Sequence, residues 1–220
     1  MIASYPGPGG DEFTLVFDQS RAHRLLIVPA LFDEANRMRR LTVEVMRRLD
    51  AAGIDCFLPD LPGCNESLQP LEAQTLDSWR AAMIGAAKHF SVTHVLGIRG
   101  GVLVQPNDLP GWRYGPVKGA NLLRQMLRAR IVSSREAGLT ETQEGLLEIG
   151  TREGLELVGY QLGSELLRQL QAAAPSSVQN ASEVLQDMIG GGGLWLRAEP
   201  GEDRAQADAL AAIIAVGITA

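Results

Sequence analysis

A continuous apolar run at residues 25–29 and two strand-like stretches, 54–58 and 92–96, alternate with stretches in which apolar residues recur every third or fourth position. An unbroken apolar run of this length belongs to a strand covered on both faces, as in a parallel sheet. Between the runs, Met38, Leu41, Val45 and Leu49 trace one helix face, with Gly53 as its stop. Leu76, Trp79, Met83, Ala86 and Phe90 trace another, starting near Thr75. Strands alternating with helices of this length predict βαβ units, right-handed crossovers and a parallel sheet with helices on both faces. The 220 residues fit one such domain, and a 45% hydrophobic composition fills its core without disulfides or metals.

The rest of the chain is less regular. Residues 1–11, rich in glycine and proline, read as a flexible lead, and residues 12–17 alternate polar and apolar like an edge strand. After Gly97 the βα rhythm breaks. Pro106 and Pro110 exclude a normal crossover helix over residues 102–111. Helical spacing returns at 122–131, 143–149 and 164–173, with an extended stretch at 155–160. Glycines 190–193 form a break, residues 194–198 read as a late strand, and 203–214 read as a closing helix. The expectation is a three-layer α/β sandwich in a single domain over residues 1–220. It has about six mostly parallel strands, and residues 115–189 form a largely helical, lid-like insertion.

The formal net charge of −6 and a pI near 5.1 argue against a nucleic-acid partner, which calls for a basic face. Cys56 and Cys64 make a poor disulfide framework; Cys56, in an apolar run, reads as a small buried hydrophobe. Residues 1–18 lack the charged-then-apolar order of an export signal, and no apolar run approaches bilayer length. The expectation is a cytoplasmic protein with no membrane insertion.

Two loops carry motifs. Asp60-Leu61-Pro62-Gly63-Cys64-Asn65-Glu66-Ser67 resembles the D-x-x-G-x-G-x-S loop of α/β hydrolases, with Asn65 in place of the second glycine. Gly97-Ile98-Arg99-Gly100-Gly101 has the place and shape of their G-x-S-x-G nucleophile elbow, whose glycines permit a sharp turn after a strand. Arginine stands where serine is needed. With residues 29–40 (PALFDEANRMRR), 112–128 (WRYGPVKGANLLRQMLR) and 158–162 (VGYQL), these motifs resemble the hydrolase-like proteins associated with exosortase A and exopolysaccharide loci. That resemblance implies a reduced α/β-hydrolase fold, an arginine-centred elbow as the usual state, and a link to exopolysaccharide production or export.

The residues agree independently. Arginine stays protonated and offers no nucleophilic lone pair. Ligands of parallel sheets bind at the carboxyl ends of the strands. His23, His89 and His94 all fall at the opposite edge, and no histidine follows residue 94. Both halves of a Ser–His pair are therefore missing.

The ligand edge carries Asp33, Glu34, Asn36, Asp60, Cys64, Glu66 and Arg99, with Trp112 on the next stretch. Arg99 either pairs with Asp33 or Glu34, as a partly buried arginine must, or holds an anion together with Asn36, Arg37 and Gly100. Asp33, Glu34, Asp60, Cys64, Glu66 and Trp112 would then line the cleft. Trp112 reads as packing or, in a polysaccharide role, as a sugar platform. Cys64 has no histidine to activate it and an acidic neighbour, Glu66, to raise its pKa. A carboxylate metal site from Asp33, Asp60 and Glu66 is weaker than pairing with arginines, so no metal or cofactor is expected. The expected function is a non-catalytic binding or accessory protein for an anionic small molecule or saccharide. The alternatives are a hydrolase or acyltransferase with atypical chemistry on esters or thioesters, and a protein-interaction scaffold.

Overall fold

The computed structural model describes residues 1–176 and 180–219. The central strands form where the apolar runs lie: β3 (Arg24–Val28), β4 (Asp55–Pro59) and β5 (His94–Ile98), with β3 in the middle. Including β1 (Ile2–Gly7), β2 (Gly10–Phe17), β6 (Gly111–Tyr114) and β9 (Ala181–Val184), the sheet has seven strands in the order β1-β2-β4-β3-β5-β6-β9. All pairings from β4 to β9 are parallel, while β1–β2 and β2–β4 are antiparallel.

Alternation along the strands feeds two cores. Leu25, Ile27, Cys56 and Leu96 face α1 (Asp33–Ala51) and α7 (Arg204–Thr219); Leu26, Val28, Phe57 and Val95 face the opposite layer. That layer holds α2 (Leu76–His89), α3 (Gly119–Glu136), α4 (Gln143–Glu153) and α5 (Ser164–Ala172). The periodic residues of α1 and α2 are the buried ones, so the helix stripes do what their spacing dictates. Thr75 and Ser78 close a reciprocal capping box at the start of α2. Between α4 and α5, β7 (Leu155–Leu157) and β8 (Tyr160–Leu162) make a small hairpin, and α6 (Gln186–Ile189) follows β9.

Two expectations are corrected. The glycine- and proline-rich lead is an ordered edge strand, β1, so residues 12–17 lie one strand in. Buried Tyr5 anchors β1 through a 3.0 Å bond from its hydroxyl to the Asp60 carbonyl. Pro6 is tolerated because an edge strand has a free side. Residues 194–198 are no strand: Leu194–Leu196 is one 3-10 turn, and the last strand of the sheet is β9. The sheet has seven strands, close to the six expected. The break after β5 is as the prolines demand. A 3-10 turn at Arg99–Leu103 is all that precedes the loop to β6.

Candidate functional site at the elbow after β5

At the end of β5 the chain turns through Arg99, whose φ is +52°. A bulky residue in this region is strained, and such strain persists only where the surroundings impose it. They do so here through close approach. A Cβ on Gly97 would meet the Gln105 side chain at 2.1 Å, and one on Gly101 would meet the Pro29 carbonyl oxygen at 2.3 Å. The elbow's glycine framework is thus intact, although its central residue is not a nucleophile.

The turn aims the Arg99 side chain across the carboxyl ends of the strands onto the first turn of α1. Its Nε and Nη2 donate to the two carboxylate oxygens of Glu34 at 3.0 and 2.9 Å, a bidentate pair. Nη1 donates to the Gly115 carbonyl at 2.8 Å, and the guanidinium lies 4.0 Å over the Trp195 ring. The two side chains are only 9% and 4% exposed, so the pair is desolvated. Asp33, the other carboxylate considered for this role, faces Arg37 one helical turn on, at 3.5 Å.

A cleft of about 250 Å³ opens beside this pair. Its walls include Phe32, Arg37, Leu122, Met126, Val158 and Trp195. Asp33, Glu34 and Arg37 from the sequence set meet here, with Arg99 next to them. The other members do not. Asn36 is exposed on the far side of α1, in a shallow crevice with Arg39 and Arg40. Gly100 is buried, and a Cβ on it would meet Leu122 and Leu31 at 2.7 and 2.9 Å. Asp60 is buried and engaged by Asn65 at 2.7 Å, with Arg39 at 3.7 Å; burial holds its carboxyl above the ordinary range. Glu66 is exposed on its loop.

Trp112 is not a cleft residue either. It sits mid-strand in β6, opposite Leu96, its ring 5.9 Å from that of His94 and against α7 at Gly217. Among the described residues no cluster of three or more metal-ligating side chains occurs. Trp195 and Gly115 were missed in the sequence. Trp195 follows the glycine break and was read as part of a strand, and Gly115 contributes only its backbone.

Cys64 lines a separate cavity of about 110 Å³ with Phe32, Trp79 and Tyr160. Its thiol is pushed up to about 12, first by burial and then by the charges of Asp60 and Glu12; exposed Glu66 is not the cause. His23 precedes β3, His94 begins β5 and His89 ends α2, so all three lie at the other edge of the sheet. With almost no thiolate at neutral pH, Cys64 is expected to resist Ellman's reagent at pH 8 in the native protein and to react rapidly in denaturant. Rapid native labelling at Cys64 would contradict this placement.

The order of strands, the elbow after β5 and the cleft at the strand ends define an α/β-hydrolase-like fold. Est1E from Butyrivibrio proteoclasticus, solved with ferulic acid bound, matches 84% of this chain and 89% of its own, with 15% identity and a TM-score of 0.53. A hypothetical protein from Pseudomonas aeruginosa matches 81% of this chain and 72% of its own, with 11% identity and a TM-score of 0.52. Against Epoxide Hydrolase A from Mycobacterium thermoresistibile the chain spans less than half of that protein (44%), over 58% of its own length, with 14% identity and a TM-score of 0.45. No protein-family model matches the chain, and no curated protein sequence matches it. No helix of the described residues is long and apolar enough to cross a membrane.

Proposed function

We propose that this chain is a non-catalytic, hydrolase-like binding or accessory protein, working in exopolysaccharide production or export, with its ligand in the cleft beside Arg99. The observation that carries the non-catalytic reading is the buried Arg99–Glu34 pair, which fills the position where an elbow presents its nucleophile. A protonated guanidinium cannot attack a carbonyl, and no histidine reaches this edge of the sheet. Helix α3 and the β7–β8 hairpin act in this reading as the cover of the cleft, through Leu122 and Met126 of α3 and Val158 of the hairpin. The exopolysaccharide association rests on the sequence resemblance alone.

A thiol-based acyl transfer at Cys64 gains no support, since that group is half-buried and held protonated. The test is steady-state hydrolysis of p-nitrophenyl acetate and octanoate. Rates equal to buffer are expected, and saturable turnover that survives repurification would contradict the proposal.

A further inference from the structure

The cleft continues past Gln125, which lines both it and a wider open groove of about 800 Å³. Among the described residues that groove is lined by Lys118 at the N-cap of α3, by Arg124 and Arg128 on the α3 face, and by Arg99, with no carboxylate. Positions 118, 121, 124, 125 and 128 fall on one side of a helix, so the cations form a single stripe. The stripe runs against the character of the chain, which carries 26 acidic and 20 basic residues. On α1 the arginines are neutralised: Arg37 by Asp33, Arg40 by Glu202, and Arg47 and Arg48 by Glu44. Lys118, Arg124 and Arg128 have no carboxylate partner among the described residues, and the one side-chain partner of Arg124 there is the amide of Asn121 at 3.2 Å. Arg99 is already taken by Glu34, which leaves these three cations to meet an anion.

The neighbouring cleft, besides the paired Asp33, Glu34 and Arg37 on its α1 side, offers an apolar surface where the groove is basic. Phe32, Leu122 and Met126 form its sides, and Val158 and Leu196 stand at its mouth, 39% and 73% exposed. Val158 is a β-branched residue held at φ +53° in the turn from β7 to β8, an unusual conformation that places an apolar side chain at an open cleft.

We propose that the joined cleft and groove bind an amphiphilic anion, a phosphate monoester or carboxylate on an aliphatic chain. The chain lies between Phe32 and α3, and the anionic group lies against Lys118, Arg124 and Arg128. This deepens, and rests on, the reading of the strand-end cleft as a binding site.

Calorimetric titration with monomeric octyl phosphate, octanoate, octanol and inorganic phosphate tests it. Octyl phosphate and octanoate should bind at least about tenfold more tightly than octanol or phosphate alone, and added salt should erode that advantage. The double variant Arg124→Ser/Arg128→Ser alters exposed residues and should keep the wild-type melting temperature. It should bring octyl phosphate down to the affinity of octanol and leave octanol unchanged. Equal affinity for octyl phosphate and octanol, inorganic phosphate binding as tightly as its octyl ester, or an unaffected double variant would each overturn the proposal. So would sedimentation with phosphatidylglycerol vesicles without binding of monomeric octyl phosphate, since it would assign the basic stripe to a bilayer surface. None of these titrations reads turnover, so their failure leaves the non-catalytic reading standing, and ester hydrolysis would sink that reading without touching the titrations.

Discussion

Arg99→Ala is expected to destabilise the protein by about 3–5 kcal/mol, because it leaves Glu34 buried beside Trp195 with its charge uncompensated. For a chain of this size the melting temperature falls by on the order of 10 °C. Arg99→Lys keeps the charge but loses the planar fork that meets both oxygens of Glu34, so it recovers only part of the loss. Arg99→Gly loses the same pair as alanine and relieves the φ of +52°, and should stand about 1 kcal/mol above it. Replacing both partners by apolar residues, as in Arg99→Met/Glu34→Leu, should recover most of the stability, since no lone charge remains. Chemical denaturation of the set reads all four comparisons. An Arg99→Ala variant within about 1 kcal/mol of wild type would mean that the pair is solvated and holds nothing.

Gly101→Ala is expected to cost about 3 kcal/mol or more, at the upper end of what one added methyl does. Its Cβ would sit 2.3 Å from the Pro29 carbonyl oxygen and 2.6 Å from that of Val28, and backbone cannot rotate away as a side chain can. Relief requires the end of β3 to move, and with it Phe32 and the first turn of α1 that carries Glu34. The substitution should therefore reach the Arg99–Glu34 pair although it touches neither residue. Combined with Arg99→Ala it should cost less than the two separate losses added together, because both changes disrupt one unit. Strict additivity in that cycle would show that the elbow and the pair are independent.

The middle of this fold was legible because β3, β4 and β5 are covered on both faces and are written mainly in apolar residues after a polar first position. Their helices were legible for the matching reason, a stripe of Met38, Leu41, Val45 and Leu49 against one core and Trp79, Met83 and Ala86 against the other. The edges were not. Strand β1 carries Pro6 and Gly7, which an edge permits, and its one fully buried side chain is Tyr5. Strand β9 reads Ala-Ser-Glu-Val, and only Val184 of it is buried. The apolar trio Leu194-Trp195-Leu196 looks more strand-like, yet it coils into a turn so that Trp195 can cover Arg99.

Of the site, the glycine spacing of the elbow located Arg99, and the two acidic residues Asp33 and Glu34 after the first strand located its partner to within one residue. The choice between Asp33 and Glu34 depended on the angle at which α1 leaves Phe32, itself at φ 56°, and no sequence pattern records that. The wall built by α3 lies in the part of the chain where the βα rhythm stops. Leu122 and Met126 could be assigned to a helix there but not to a cleft.

The elbow is occupied by an arginine–glutamate pair and carries no nucleophile, and intact-mass analysis reads this out. The wild-type protein and Arg99→Ser are each incubated with a fluorophosphonate. Both should keep an unmodified mass, the second because a serine restored at the elbow still lacks a histidine at this edge of the sheet. A stoichiometric serine adduct on either protein would contradict it.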